Sequence, residues 1–427
     1  GSFELTNISE NDTIVFYFSG FQKKKLVVRN IANVVHLEPL EQLLDDVIVL
    51  ADESIPYKLI SNTRKNIDHN DEVAQSYMEM KSFLNHHQLE YFQGYYNGTY
   101  DGYDIEDLEL KTARFGMQKT PNMAFHSKET SRAMYKHDIF NSNQYFPDSP
   151  FGMKRRKLVK TFEVNMNAKY REQNGDITYV ISFTPRKDTL SAFSGKAWID
   201  SATNILTKVE FVIQNASKCP FIPIHQGGQL RDVNMHITKT YDRTASGVRL
   251  NSMDFNFDFT FDPQGFYNED NGVFYKQRPS DSVNYKPVPS YNISANAVLA
   301  AYNYDDQFFI PRFDFPTYEF PDYHKMIAFK HHVEFWDCYN TFRVGKSEKN
   351  EQFLEDPRTV THKALFKKNS ISNMGMYEYT YRHWTKKRIY LRSSTENNES
   401  EGHNIRTNFE LNSIKARKYQ LVAQILF

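Results

Sequence analysis

The sequence predicts a mainly β protein: a partial N-terminal β-sandwich, a central curved antiparallel sheet or half-barrel with one or two helices, and a β-rich C-terminal segment. Three observations lead there. Aromatic residues make up 15% of the chain, with 34 Phe and 27 Tyr, and such side chains favour pleated, half-buried surfaces. Stretches in which apolar and polar residues alternate, the period of a strand, recur along most of the sequence. Turn signals rich in Gly, Asn and Asp separate them, as in "NGTYDGY" and "REQNGD". At 427 residues the chain is long enough for two or three domains. The texture changes near residues 50 and 345, which divides it into 1–50, 51–345 and 346–427.

The first segment opens on "NDTIVFYFSGFQKKKLVV", a strand, a turn at Ser19-Gly20 and a second strand. Two further short strands are expected around Val34–Leu37 and Asp46–Leu50. In "ESIPYKLISNTRKNI", Ile55, Leu59, Thr63 and Ile67 share one helical face, and Pro56 stands where a first turn tolerates it. The next stretch, "EVAQSYMEMKSFLNHH", fits two periods and is expected to pass from helix into strand. From Leu89 onward hairpins follow one another. They run through "LEYFQGYYNGTY" with "YDIEDLELKTARFGM", "LVKTFEVNMNAKY" with "ITYVISFTPR", "SGKAWIDSATNILTKVEFVIQ", and "RDVNMHITKTYD" with "VRLNSMDFNFDFTFDP". A run of neighbouring antiparallel hairpins makes a strongly curved sheet. Beyond it comes an extended Pro- and aromatic-rich connection, then "MYEYTYRHW", "KKRIYLRSS" and "KYQLVAQILF", the latter two separated by the polar "TENNESEGHN".

Two of these stretches resemble known families. "FELTNISENDTIVFYFSGFQKKKLVV" followed by "VVHLEPLEQLLDDVIVL" resembles the second half of the carboxypeptidase regulatory-like, transthyretin-like domain of Bacteroidetes envelope proteins. Phe3, Leu5, Asp12 to Phe16, Ser19 to Phe21, Leu37, Leu43 and Val47 to Val49 carry the likeness. The family's first strands are missing, and its members are accessory sandwiches without peptidase chemistry. "GKAWIDSATNILTKVEF" resembles a hairpin of the LolA-like half-barrels through Gly195, Ile199, Asp200 and Thr203. Together these likenesses imply a periplasmic chain, or one on the periplasmic side of the outer membrane. Gly1-Ser2 reads as a cloning remnant, so a signal peptide is expected to have been removed.

Charge and motifs exclude more than they assign. Lys plus Arg number 52, as do Asp plus Glu, so no overall field recruits nucleic acid or an anionic membrane, which leaves room only for a local basic patch. No apolar run is long enough for a membrane-spanning helix. Cys219 and Cys338 are the only cysteines; they are either bridged in an oxidising compartment or two unpaired thiols. "VGKS" lacks the upstream glycine of a phosphate loop, and no G-x-S-x-G elbow occurs. "HQLE", His87 to Glu90, has a zinc-peptidase spacing that fourteen histidines produce by chance, and in His331-His332 with Glu334 and Asp337 adjacent histidines on a strand point to opposite faces, so the cluster reads as a solvent-facing His beside an aromatic core anchor. The sequons at Asn97, Asn215 and Asn292 read as accidental in a bacterial envelope protein. No catalytic residue, metal or cofactor is therefore expected.

What remains is binding. Phe255, Phe257, Phe259 and Phe261 line one face of a long strand, and with Trp198 they are the candidate contacts for an apolar ligand, a lipid or the acyl chain of a lipoprotein. The same row equally suits a filled core. A protein partner at the outer membrane, or a scaffolding role in an assembly there, is the alternative; a hydrolase has no motif behind it.

Overall fold

A computed structural model describes residues 9–16, 24–32, 34–38, 54–64, 71–118, 130–171, 176–187, 191–221, 228–244, 247–263, 265–268, 274–275, 285–308, 348–361, 390–395 and 407–412. The chain divides into two compact units, Gly1–Thr361 and His362–Phe427. In the second, β17 (Tyr390–Thr395) and β18 (Thr407–Asn412) pair antiparallel.

The first unit is built on one antiparallel sheet of eleven strands that does not close into a barrel. In chain order its strands are β3 (Asp71–Leu84), β4 (His87–Asp101), β5 (Asp104–Gln118), β6 (Phe162–Arg171), β7 (Ile177–Pro185), β8 (Ser194–Asp200), β9 (Leu206–Ile213), β10 (Gln229–Thr244), β11 (Gly247–Asp262), β15 (Tyr291–Tyr304) and β16 (Thr359–Thr361). In space they run β16-β5-β4-β3-β15-β11-β10-β9-β8-β7-β6. β3 to β5 thus form one wing, β6 to β11 the other, and β15 joins them. Three short strands, β12 (Phe266–Asn268), β13 (Phe274–Tyr275) and β14 (Tyr285–Pro287), form a small sheet inserted between β11 and β15. Near the N-terminus β1 (Thr13–Phe16) pairs with β2 (Lys24–Val27), with Thr13 opposite Val27. The hairpins expected from Leu89 to Asp262 and the half-barrel architecture are therefore present.

Four expectations need correction or lie outside the described residues. The stretch 71–84 is a strand throughout, with no helical turn. Tyr77 to Lys81 alternate between the two sheet faces, and pairing with β4 on one side and β15 on the other overrides the helical spacing. Residues 34–38 carry no strand; the His36 carbonyl accepts a hydrogen bond from Lys24 Nζ at 2.9 Å instead of a ladder bond. The strand expected at 46–50 and the cluster at His331 to Asp337 lie outside the described residues.

The helices are short. α1 (Ile55–Thr63) has Pro56 in its first turn and buries Tyr57, Leu59, Ile60 and Thr63. Its Tyr57 hydroxyl fixes it to the sheet, donating to the Phe162 carbonyl at 3.2 Å and accepting from Arg186 Nη2 at 3.0 Å. α2 (Thr130–Lys136) and α3 (Arg155–Thr161) follow, and α4 (Glu348–Glu355) precedes β16.

The wing of β3 to β5 is buried on both faces, and ten consecutive residues of β4, Leu89 to Gly98, are buried. Asn97 shows why its Asn-Gly pair is no turn. Its side chain accepts from the Phe308 amide at 2.8 Å and donates to the Phe308 carbonyl at 3.2 Å. The chain turns instead at Gly102, whose φ of 57° suits glycine. On this outer face Arg114 joins Gln93 to Glu351 of α4, and Asn350 donates to the Tyr91 hydroxyl at 3.2 Å.

Candidate functional site: the inner face and mouth of the half-barrel

The alternation along β11 turns Phe255, Phe257, Phe259 and Phe261 to the inner face, where none is more than 3% exposed. Cross-strand pairing extends that face sideways: Phe255 stands opposite Ile237, and Ile237 opposite Phe211. Among the described residues, rings from connecting segments meet this face. The ring of Phe221, in the connection after β9, lies 4.2 Å from that of Phe257, 6.0 Å from Phe255 and 5.8 Å from Phe259. Phe146 reaches Phe255 at 6.1 Å, and the His137 ring packs between Phe146 and Phe211 at 4.9 and 5.3 Å. The row therefore lines a filled interior.

Trp198 does not join it. Its neighbours Ala197 and Ile199 are wholly buried on the inner face, so Trp198 points outward, half-buried, with the Lys208 ammonium 4.4 Å from its ring. The motif around it is architectural. Asp200 Oδ1 accepts from the amides of Ala202 and Thr203 and from the Thr203 hydroxyl, and Arg243 Nη2 closes on it at 2.6 Å. These bonds fix the β8–β9 turn.

A lysine stands in the apolar inner face of β10. Lys239 continues the row Val233, Met235, Ile237 and precedes Tyr241, and it is fully buried. Its ammonium bonds the Asp104 carboxylate and, at 2.9 Å, the His137 carbonyl. Asp104 also accepts from the Ile139 amide at 3.3 Å. One lysine thus ties together β10, the start of β5 and the turn after α2. Beside it Tyr103, at the β4–β5 tip, crosses the end of the half-barrel: its hydroxyl accepts from the Leu206 amide at 2.9 Å and its ring meets Tyr241 at 4.8 Å. Outside this closure lies a cleft of about 560 Å³ lined by Arg64, Asp101, Tyr103, Asp104, Glu106, Tyr135 and Asp138 among others. Asp138 is engaged locally, accepting from the amides of Phe140 and Asn141 at 2.7 and 2.8 Å.

Burial sets the titration of this cluster. It raises the Asp104 carboxyl to about 6, against the attraction of Lys239, and it lowers His137 well below its ordinary value, with Lys239 adding in the same direction. The two act oppositely on stability. Asp104, raised, favours the folded chain as pH falls from about 6 towards 4. His137, kept neutral inside, disfavours it as pH falls below about 6.5, where the unfolded imidazole takes up a proton. Their slopes offset one another in one pH window. His137→Phe suits the aromatic surroundings and removes a ring whose Nδ1 has no hydrogen-bond partner. Relative to the parent it should gain about 1.4 kcal/mol per pH unit below pH 6.5. Urea unfolding of both proteins at pH 7, 6 and 5 checks this; a difference independent of pH would show that His137 ionises inside the fold.

No protein-family model matches the sequence, and no curated protein does. Among solved structures the chain is similar to an outer membrane lipoprotein-sorting protein domain from Vibrio parahaemolyticus described as putative, at 12% identity and a TM-score of 0.24, over 62% of this chain and 98% of that one. A LolA superfamily protein from Nitrosomonas europaea aligns at 8% identity and a TM-score of 0.23, over 60% and 97%. MucB in its complex with MucA from Pseudomonas aeruginosa aligns at 9% and 0.17, over 59% and 94%. Scores this low establish neither family nor function.

Among the other sequence candidates, His87 is exposed at the start of β4, whereas Glu90 is buried and accepts from the Ser82 hydroxyl at 2.6 Å. A register shift opposite Ser82 and Phe83 interrupts the strand between them, and among the described residues no group of three potential metal ligands forms. Cys219 is a free thiol, raised by burial, that donates to the Phe221 carbonyl. Lys239 was the residue missed, although its signal is in the sequence: in "VNMHITKTY" it occupies a position where the two-residue period demands an apolar side chain.

Proposed function

We propose that this chain is a non-enzymatic binding protein of the bacterial cell envelope, active in the periplasm, whose inner face accepts an apolar ligand such as a lipid or a lipoprotein acyl chain. One observation carries the reading: the middle of the phenylalanine row of β11, Phe257 and Phe259, meets the ring of Phe221, which comes from a connecting segment and not from a helix or strand. A loop ring is held by fewer backbone bonds than an element of the sheet, and its departure would uncover a strip of aromatic surface without disturbing a strand pair. Phe221 in this view occupies the ligand's place. No helix among the described residues is long and apolar enough to cross a membrane.

The test is native mass spectrometry of protein isolated gently from an envelope fraction, before and after organic extraction, together with uptake of a fluorescent C16 fatty acid. A mass that disappears on extraction supports the reading, and Phe221→Ala should take up the probe at least tenfold more tightly than the parent. Bare protein in both spectra, with no uptake by either, overturns it in favour of a protein partner or scaffolding role.

A further inference from the structure

We propose that α3 and the adjoining end of β7 form a docking surface for an anionic phospholipid bilayer. The chain as a whole is neutral, yet "KRRKLVK" places Lys154, Arg155, Arg156, Lys157 and Lys160 within seven positions, all exposed, and Lys187 is exposed beside them. The side chain of Arg186 brings that end of β7 onto the helix by donating to the Val159 carbonyl at 3.0 Å, while its amide donates to the Thr161 carbonyl at 2.8 Å. None of the five helix cations forms an ion pair among the described residues; most other basic groups of the sheet do, as with Arg249 on Glu72 or Arg243 on Asp176.

The placement opposes local stability, which separates it from an ordinary solvated face. Four of the cations crowd the start of α3, where the helix dipole is positive; its first turn has no acidic residue, and Lys154 gives no side-chain cap. Like charges at this spacing also repel one another. A patch that contradicts the local rules without gain in the folded chain is a candidate for function. Val159, 42% exposed, stands between Lys157 and Lys160, while Leu158 anchors the helix inward. An apolar side chain ringed by cations suits the interface of a bilayer. Nucleic acid would call for aromatic platforms, and this stretch has none. The surface is distinct from the inner face and does not depend on an apolar ligand being held there.

Sedimentation of the full chain with vesicles tests the proposal. The protein should sediment with phosphatidylcholine vesicles containing 30% phosphatidylglycerol in 50 mM NaCl, not with phosphatidylcholine alone, and should be released in 0.5 M NaCl. Arg155→Gln, Arg156→Gln and Lys157→Gln together should weaken partitioning on the order of a hundredfold, from a contribution near fivefold per cation. Because the substitutions relieve repulsion, the variant should melt no lower than the parent, so lost binding cannot be ascribed to misfolding. Val159→Ser should weaken binding a few-fold at unchanged salt dependence. Equal partitioning by the triple variant overturns the proposal, as does tighter binding to a single-stranded oligonucleotide than to the vesicles. Protein that carries no extractable mass and takes up no fatty acid, yet sediments with these vesicles, would refute the apolar-ligand reading and leave this one standing.

Discussion

Asp104→Asn should destabilise the half-barrel by about 3 to 5 kcal/mol at pH 7, more than any other single change at the Lys239 cluster. The substitution leaves a fully buried ammonium with only neutral oxygens to accept from it, the His137 carbonyl and the side-chain amide at 104, and removing the counter-charge of a buried pair strands a charge in low dielectric. The reverse substitution, Lys239→Met, should be much milder. Asp104 already titrates at about 6, so burial has taken back about 3 of the 4 kcal/mol by which an ordinary aspartate prefers its charged form at pH 7. Loss of the lysine can therefore add only about 1 to 2 kcal/mol before the carboxyl takes up a proton. The double variant, Asp104→Asn with Lys239→Met, should return to within about 1 kcal/mol of the parent or exceed it, since it removes both desolvated charges. Urea unfolding of the four proteins closes the cycle. If Asp104→Asn costs no more than Lys239→Met, the ammonium has found another counter-charge and the cluster is not the isolated pair described.

This asymmetry bears on what the lysine does. A buried pair gives little net stability, but it joins three separate segments in one arrangement, and no apolar residue would dictate that geometry so sharply. Lys239 thereby fixes where the mouth of the half-barrel closes, next to the cleft and below the Phe221 cover.

How much of this was legible in the sequence depended on how local the cause was. The hairpins from β4 to β11 were visible because one face is buried along each of them, and a period of two is the direct imprint of that burial. The stretch at 71–84 was ambiguous for a physical reason: β3 is an inner strand with both faces largely covered, so apolar residues fall at spacings that also satisfy a helix. The phenylalanine row was visible, but its cover was not, because Phe221 and Phe146 arrive from irregular segments whose spacing carries no period. Trp198 was grouped with that row by residue type alone, which does not set register; the burial of its neighbours Ala197 and Ile199 turns its side chain outward. The basic patch was hidden by the chain's zero net charge, which averages over the very feature that distinguishes α3.

Gly195→Ala should be the most damaging substitution of a single hydrogen by a methyl group. A Cβ at this position would lie 1.8 Å from the Glu210 carbonyl oxygen on β9 and 2.8 Å from the Phe183 ring on β7. The first obstacle is backbone, and it cannot rotate away. To admit the methyl group, β8 and β9 must separate, breaking ladder bonds between Gly195 and its partner Phe211 at the point where Phe211 meets the His137 ring. Overpacking of a core costs about 1 to 3 kcal/mol when side chains can yield; with a backbone carbonyl in the way the loss should be at least about 3 kcal/mol. Gly94→Ala supplies the control, since its Cβ would meet only the ends of the Phe92 and Leu110 side chains at 2.8 and 3.0 Å, which can swing at a loss of about 1 kcal/mol. Thermal unfolding of the two variants separates the cases. Equal, small losses would mean that β8 and β9 tolerate a wider spacing, and the glycine at the head of this hairpin would then owe its place to something other than close approach. The expected contrast instead makes Gly195 a point of close backbone approach between β8 and β9, held where Phe183 and Phe211 pack the interior.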